Sequence, residues 1–527
     1  MAPLQVPGAS WTSWGFGRVH FGHLGAHFHR RTQTSISFIL HLAFVFSTMP
    51  MVLALLVVSL AGIHYAAGLA SSGDLQLMQM WPTPTASKDD FGREFFTHAG
   101  VRIYRRAPNG RRTVDGEPEA TENKTSTWMF MIKEGATGEM LQSVVQELHP
   151  TAMTTNPDIG EVPFVEGHLT EVELATVVEK VQALYPGLVE AVEEDFFESR
   201  IPEDAIDEAS TGVSVASTYP WGIQDINADV VRGRGVGVNV YVLDTGIRTT
   251  HVEFGGRAFA GVDVAATGVL TVCPSGSTTC AADGHGHGTH CAGTAGASTY
   301  GVADGAKLWA MKVLDDNGDG YISWSIAAEQ WVLSSGPKPA VVSMSLSGPG
   351  NWVAEETSIN ALVAAGVTVV VAAGNQNSDA SGYNPGWIDS AITVGSYASG
   401  GARSSFSNYG SKVDVWAPGS SIKSTGVSSD TATNTLSGTS MACPHVSGLA
   451  AIMYELYPTA ASMTSGQREA LLSAGQRTDW VTGTGIDNNF VWLAPTSAPT
   501  PSPTPPDGAA AVGDPHLQNI HGFFRPR

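Results

Sequence analysis

Uninterrupted apolar runs alternate with helix-like segments through the second half of the chain. Five of these runs lack polar alternation and predict buried strands, at 238–243, 308–313, 341–346, 367–373 and 391–394. Helical spacing occurs at 326–332, 355–365 and 441–454. Strands that are apolar on both faces and are separated by helices are typical of a parallel sheet covered by helices on both sides. The pattern therefore predicts a doubly wound, mostly parallel α/β domain over residues 217–495.

A smaller mixed pattern precedes this domain, over residues 126–200. Strand-like runs occur at 128–132, 164–169 and 188–192, with a further short strand expected near 152–154. Helical spacing occurs at 138–148 and again after Thr170, which forms a capping-box pattern with Glu173. The order of these elements predicts a small ferredoxin-like α+β domain.

Residues 1–72 are predicted to direct the chain into the secretory route. They contain an apolar run at 38–69, which follows two arginines and ends in small residues. Cleavage after this run would make it a signal peptide and the protein secreted. The run is also long enough to span a bilayer as an uncleaved signal anchor, so membrane attachment through it is an open alternative.

The remaining segments are predicted to be linkers and a tail. Residues 73–125 are polar and irregular, and residues 201–216 are acidic and then small and polar, as expected of a cleavable linker. Residues 496–512 are rich in Pro, Ser and Thr, which favours an extended linker. Residues 513–527 begin with Gly-Asp-Pro-His and resemble the start of a von Willebrand type D-like module, which we expect to be truncated.

The charge of the chain argues against one class of partner. The sequence has 28 Lys and Arg residues against 49 Asp and Glu residues, a formal net charge of −21. Binding to phosphate groups needs Lys and Arg. A nucleic acid is therefore not an expected partner.

Three glycine-marked motifs carry the candidate chemistry. Asp244 lies in Leu-Asp-Thr-Gly at the end of a predicted strand, His285 and His287 lie in His-Gly-His-Gly-Thr-His, and Ser440 lies in Ser-Gly-Thr-Ser-Met-Ala. Aspartate, histidine and serine are the components of an activated serine nucleophile. Their chain order is Asp, His, Ser, and the residues alone leave either histidine as the base.

These motifs resemble those of the subtilisin-like serine proteases, most closely the proteinase K branch. The resemblance implies that Ser440 attacks the substrate, that His287 rather than His285 is the base, and that Asp244 orients it. It also implies that Asn375, in Ala-Ala-Gly-Asn, donates to the oxyanion. The segment that would pair with the substrate backbone is Ser345, Leu346, Ser347 and Gly348.

The same resemblance extends to residues 126–200, which look like the inhibitory propeptide of these proteases. It implies a secreted endopeptidase made as a self-processed zymogen, with protein or peptide substrates and its own propeptide as inhibitor and folding aid. No cofactor is expected for catalysis. Two alternatives stay open: a membrane-tethered processing protease, and a non-catalytic surface protein on a protease scaffold, which a broken triad would favour.

The resemblance further implies a structural calcium ion. Its ligands would be the carboxylate of Asp414 and the backbone carbonyls of Asp389 and Ala391. Calcium prefers oxygen ligands of these two kinds.

Four cysteines bear on stability. Cys273 and Cys280 bracket a short loop. They would either remain free thiols or form a disulfide, and the secretory features favour the disulfide. Cys291 and Cys443 each follow a candidate catalytic residue by about one helical turn, so we expect them to be buried in helix packing.

Overall fold

A computed structural model describes residues 87–89, 94–104, 126–133, 136, 140, 153–154, 164–195, 197–198, 219–229 and 233–472. The α-helices in these residues are α1 (Glu171–Leu184), α2 (Trp221–Asp225), α3 (His287–Gly296), α4 (Ile322–Ser335), α5 (Val353–Ala364), α6 (Thr439–Leu456) and α7 (Ser465–Leu472). The strands are β1 (Ser87–Lys88), β2 (Glu94–His98), β3 (Val101–Tyr104), β4 (Ser126–Ile132), β5 (Met153–Thr154), β6 (Phe164–Leu169), β7 (Val189–Glu194), β8 (Phe197–Glu198), β9 (Asn239–Asp244), β10 (Ala258–Asp263), β11 (Thr271–Val272), β12 (Lys307–Lys312), β13 (Gly320–Tyr321), β14 (Ala340–Met344), β15 (Gly348–Pro349), β16 (Thr368–Ala372), β17 (Tyr383–Asn384), β18 (Ile392–Tyr397), β19 (Val415–Pro418), β20 (Ile422–Thr425) and β21 (Thr433–Leu436).

The larger domain is built on a sheet of eight strands in the order β11-β10-β12-β9-β14-β16-β18-β19. All neighbours in this sheet are parallel except β10 and β11. The five predicted strands correspond to β9, β12, β14, β16 and β18, so the doubly wound α/β prediction is confirmed. The strand order changes direction at β9, because β10 and β12 lie on one side of it and β14 lies on the other. Open α/β sheets bind their ligands at such a switch point.

The core of this domain has two layers, one on each face of the sheet. Along β9, Val240 and Val242 pack with α3 and α6, whereas Tyr241 and Leu243 pack with α4 and α5. Successive side chains of a strand point to opposite faces, which explains why the strand sequences are apolar without alternation. Helix α6 lies deep in the domain, because every residue from Thr439 to Tyr454 is buried.

The smaller domain contains the order β7-β4-β6-β5 within its sheet, which is the strand order of a ferredoxin-like fold. The prediction of a ferredoxin-like domain is confirmed. The capping box at the start of α1 is also confirmed: the Thr170 side chain accepts from the Glu173 backbone N–H, and the Thr170 N–H donates to the Glu173 carboxylate at 2.8 Å. The helix predicted at 138–148 lies outside the described residues, apart from position 140.

The prediction of an irregular linker at 73–125 is wrong for part of its length. Strands β2 and β3 form a hairpin there, and β3 joins the ferredoxin-like sheet beside β7 in parallel. The hairpin turns at Ala99 and Gly100, both at positive φ. Polar residues can form a strand at the edge of a sheet because the edge strand needs only backbone pairing and one buried face.

One face of the smaller sheet packs against α4 and α5 of the larger domain. Met129 and Met131 of β4 share a hydrophobic cluster with Ile322, Ile326 and Trp352. Acidic side chains complete the contact. The two carboxylate oxygens of Glu193 accept from the N–H groups of Val353 and Ala354 at 3.0 and 2.9 Å.

Asp195 makes the equivalent contact with α4. Its carboxylate accepts from the backbone N–H of Ser323 at 3.2 Å and from the Ser323 hydroxyl at 2.8 Å. Neither α4 nor α5 has a side-chain hydrogen bond from its own N-cap residue. The smaller domain therefore supplies the anionic caps that favour the N-terminal ends of both helices.

The chain that leaves the smaller domain also pairs with the larger one. Strand β8 is antiparallel to β13, with Phe197 opposite Tyr321 and Glu198 opposite Gly320. The predicted cleavable linker at 201–216 follows directly and lies outside the described residues. The apolar run at 38–69 also lies outside them, and no described helix combines the length and apolarity that a bilayer crossing requires.

Candidate active site

Asp244 and His287 form a buried pair at the carboxyl end of the central strand. Asp244 is the last residue of β9, and His287 is the first residue of α3. The His287 Nδ1 atom lies 2.8 Å from Oδ1 and 2.9 Å from Oδ2 of Asp244. A carboxylate can only accept, so Nδ1 carries a hydrogen and donates a hydrogen bond to Asp244. This leaves Nε2 as the atom that can take up a proton.

Burial and charge act in opposite directions on His287. Burial by itself lowers the pKa of the imidazole, but the negative charge of Asp244, the neighbouring Cys291 and the hydrogen bonds to both residues together outweigh it and hold the pKa of His287 well above its ordinary value. The imidazolium form is therefore the one that this site stabilises.

Ser440 is the second residue of α6 and is almost fully buried. Its hydroxyl donates to the carbonyl oxygen of Ser345 at 3.1 Å. The structure does not join Ser440 to the histidine, since Nε2 of His287 has no hydrogen-bond partner among the described residues. The thiol of Cys291 contacts both residues, at 3.8 Å from Nδ1 of His287 and 3.4 Å from the Ser440 carbonyl oxygen.

Asn375 follows β16 and is oriented by the residue that precedes Ser440. Its side-chain oxygen accepts from both the backbone N–H and the hydroxyl of Thr439, each at 2.8 Å. This fixes the amide so that Nδ2 points away from Thr439, and a Cβ atom added to Gly438 would lie 3.2 Å from Nδ2. A donor with a fixed direction therefore lies beside the start of α6.

The predicted substrate-binding segment lies immediately after β14. Ser345, Leu346 and Ser347 are buried, and Gly348 begins β15, which pairs with β17. Ser345 is tied to α6 by its hydroxyl, which donates to the Ser440 carbonyl oxygen at 2.9 Å. The segment thus borders the candidate nucleophile, and its pairing with a substrate stays a prediction.

The other histidines near the site differ from His287 in their surroundings. His285 is exposed, and its ring centroid lies 6.4 Å from that of His287. His290 is buried and bonds to the Ile422 carbonyl oxygen at 3.0 Å, and burial lowers its pKa to about 3. Burial likewise lowers the pKa of His445 to about 4. Both buried rings are therefore neutral.

All four cysteines are in the states that the sequence favours. The structure joins Cys273 and Cys280 in a disulfide with a Cα–Cα distance of 5.6 Å. Cys291 and Cys443 are buried thiols, and burial raises the pKa of both, that of Cys443 to about 12. They pack helices α3 and α6 as neutral groups.

The predicted calcium ligands offer oxygen atoms but only one carboxylate. Asp414 is 8% exposed, and its Oδ2 atom accepts from the Thr393 N–H at 2.9 Å. The carboxylate of Asp389 pairs with the ammonium group of Lys412, so this residue has only its carbonyl to offer. The donor set suits calcium in type, and water would have to complete the six to eight ligands that calcium takes.

Sequence reasoning missed Asp283, which lies four residues before His287. Its carboxylate accepts hydrogen bonds from the loop around His285 and from Thr289 in the first turn of α3. An aspartate shortly before a helix is a recognisable capping signal.

Comparisons with known proteins identify the family of the larger domain. The family described as the subtilase family matches residues 235–492. An extracellular serine proteinase of Thermus sp. is 48% identical over 262 residues, which are 48% of this chain and 61% of that protein. A cuticle-degrading protease of Metarhizium anisopliae is 42% identical over 55% of this chain and 70% of its own length. An alkaline proteinase of Hapsidospora chrysogena is 35% identical over 71% of this chain and 92% of its own length. The chain thus spans less than two thirds of the Thermus protein.

Proposed function

Because the chain belongs to the subtilase family, we propose that it is a secreted serine endopeptidase that cleaves peptide bonds through an acyl-enzyme. The observation that carries the proposal is the hydrogen bond from Nδ1 of His287 to both oxygens of Asp244, together with the position of Ser440 in the first turn of α6. The test is the rate of peptide hydrolysis by variants of these three residues.

The reaction begins with a rotation of the Ser440 hydroxyl. In the free enzyme it donates to the Ser345 carbonyl oxygen, so it must turn to Nε2 of His287 before it can attack. As Oγ forms its bond to the substrate carbonyl carbon, the hydroxyl proton passes to Nε2. The imidazolium that results is stabilised by the negative charge of Asp244. His287 then gives the proton to the leaving amine, and the same steps with water release the acid.

Charge on the substrate oxygen is met by fixed donors. The Nδ2 group of Asn375 and the backbone N–H of Ser440 at the start of α6 are the two that the site offers. Removing one such donor costs about 3 kcal/mol of transition-state stabilisation in serine proteases. Because Thr439 holds the oxygen of Asn375, the amide does not need to reorient during the reaction.

Residues 126–200 act as the enzyme's own propeptide, both as an inhibitor and as a folding aid. The support for this role is that Glu193 and Asp195 cap α5 and α4, which lack side-chain caps of their own. Relatives described as extracellular favour a secreted product over one anchored through the N-terminal apolar run.

The contact between the two domains should weaken as the pH rises. Glu166 of β6 lies on the same face as Glu193, since both pair with Met129 of β4. Burial raises the pKa of Glu166 from its ordinary value near 4.5 to about 8, and the charge of Asp195 adds to the rise, while the Ser323 hydroxyl acts against it. A carboxyl whose pKa is raised by folding stabilises the folded state below its unfolded pKa, and this is lost as the pH rises towards 8.

We therefore expect Ser440→Ala protein, which stays uncut, to lose thermal stability between pH 5 and pH 8 more steeply than the same chain with Glu166→Gln. The difference should reach at most about 1.4 kcal/mol per pH unit. Calorimetry at a series of pH values measures it. Glu190→Gln, at an exposed position of the same domain, is the control and should leave the slope unchanged. Parallel curves with and without Glu166 would contradict the assignment.

Calcium is proposed as a structural ion bound by Asp414 and the carbonyls of Asp389 and Ala391. A chelator should lower the thermal midpoint of the wild type, because a ligand that binds only the folded state stabilises it. Asp414→Asn keeps an acceptor for Thr393 and should abolish most of this response. Asp389→Asn keeps the carbonyl and should preserve it. An unchanged midpoint in the wild type on adding chelator would end the proposal.

A further inference from the structure

The helix that carries His287 begins without a side-chain cap of its own. Its N-cap residue is Gly286, which lies at φ 111° and has no side chain to offer. The first turn is satisfied from outside the helix instead. The Gly288 N–H donates to the Thr245 hydroxyl at 2.9 Å, and the Thr289 N–H donates to Asp283 at 2.8 Å.

Asp283 is the centre of this arrangement. Its Oδ1 atom accepts from the Thr245 hydroxyl at 2.9 Å and from the N–H groups of His285 and Gly286 at 3.0 and 2.7 Å. Its Oδ2 atom accepts from the N–H and the hydroxyl of Thr289 at 2.8 and 2.6 Å. The residue is only 9% exposed. One buried carboxylate thus receives five hydrogen bonds, and its negative charge lies at the N-terminal end of α3, where it is favoured.

These bonds connect the two elements that supply the Asp244–His287 pair. Thr245 directly follows Asp244, and its carbonyl oxygen is held from the other side by the buried ammonium group of Lys312 at 2.6 Å. The backbone just after β9 touches the first turn of α3. A Cβ atom added at Gly288 would lie only 2.2 Å from the Gly246 carbonyl oxygen. The hydrogen bonds through the Thr245 and Asp283 side chains hold the two elements together at this close contact.

We propose that Asp283 is a positioning residue of the peptidase reaction, which holds the end of β9 and the start of α3 at the distance where His287 reaches Asp244. The proposal rests on the function proposed above. Asp283 makes no hydrogen bond to Asp244, His287 or Ser440. It acts through Thr245, through Thr289 and through the backbone of His285 and Gly286. A carboxylate is suited to this role because it accepts several donors at once without offering one.

The experiment compares Asp283→Asn with Asp263→Asn in the mature enzyme. Asp263 is also 9% exposed and accepts from two backbone N–H groups, those of Ala266 and Ala281, and neither of these hydrogen bonds goes to α3 or Thr245. For each variant, kcat, KM, the thermal midpoint and the pH dependence of kcat/KM are measured on a short peptide substrate.

We expect Asp283→Asn to lower kcat by about 10- to 100-fold with little change in KM, since small misplacements of reacting groups cost rate rather than binding. The acidic limb of the kcat/KM profile should move to lower pH, because a looser contact with Asp244 raises the pKa of His287 less. Asp263→Asn should lower only the thermal midpoint. If Asp283→Asn behaves like Asp263→Asn, with kcat and the pH profile unchanged, the positioning role is overturned.

Two further variants keep the result decisive. Thr245→Val removes the hydroxyl that donates to Asp283 and accepts from the Gly288 N–H. It tests the same junction between the end of β9 and the start of α3 if Asp283→Asn does not fold, and an unchanged kcat and pH profile would again overturn the positioning role. His287→Ala separates the two proposals. An active His287→Ala enzyme contradicts the proposed function, whereas an inactive one together with an unchanged Asp283→Asn enzyme contradicts the positioning role alone.

Discussion

Replacing Ser440 with alanine should lower kcat/KM for a peptide substrate by at least about four orders of magnitude. His287→Ala should have an effect of the same size, because without Nε2 no group at the site takes the hydroxyl proton. Asp244→Asn should cost somewhat less, since it leaves the imidazole in place but removes the charge that stabilises the imidazolium. Initial rates on one chromogenic peptide measure all three effects.

The three losses should not add, because the residues act as one unit. The double variant with Ser440→Ala and His287→Ala should therefore be about as active as either single variant. His285→Ala is the matched control: its ring is exposed, it comes from the same loop, and it makes no bond to Asp244. If His285→Ala abolished activity and His287→Ala did not, His285 and not His287 would be the base.

The sequence predicts the parts of this site that depend on residue type and local pattern. The apolar runs locate β9 and β16, and Asp244 and Asn375 follow from their positions near the ends of these strands. The motif around Ser440 places this candidate nucleophile at the start of a helix, and the structure confirms that position in α6.

What the sequence does not predict depends on contacts between distant segments. The acidic residues at the end of β7 and just after it are visible in the sequence, but nothing local indicates that Glu193 meets α5 and Asp195 meets α4. The orientation of the Ser440 hydroxyl towards Ser345 is a choice of rotamer, which the packed surroundings decide. Asp283 binds mostly backbone N–H groups, and these carry no residue signature that a pattern could reveal.

The hairpin of β2 and β3 was missed for a related reason. Its strands are short and partly polar, so they lack the apolar alternation on which strand prediction relies. In β3, Val101 and Ile103 are buried on one face and Tyr104 on the other. The hairpin is stabilised by pairing with the edge of a sheet that forms from residues almost a hundred positions later.

The enzyme should remove its own propeptide, and this should fail completely when Ser440 is replaced by alanine. Strand β8 pairs with β13 of the larger domain, so the chain is already held against that domain where the linker at 201–216 begins. Tethering gives the linker a high effective concentration at the active site. Cleavage should therefore be first order, with a half-time that does not change when the protein is diluted.

Purified wild-type protein should lose residues 126–200 and acquire a new N-terminus between Ile201 and Tyr219. Ser440→Ala protein should remain one chain that retains those residues, and intact mass measured over time distinguishes the two. His285→Ala protein should process as the wild type does, because that exposed ring takes no part in the chemistry. Cleavage of purified Ser440→Ala protein at the same bond, with no other protease present, would show that this serine is not responsible. A half-time that shortens as the protein is concentrated would instead indicate that one molecule cuts another, because a tethered linker reaches its own active site at a concentration set by the chain and not by the solution.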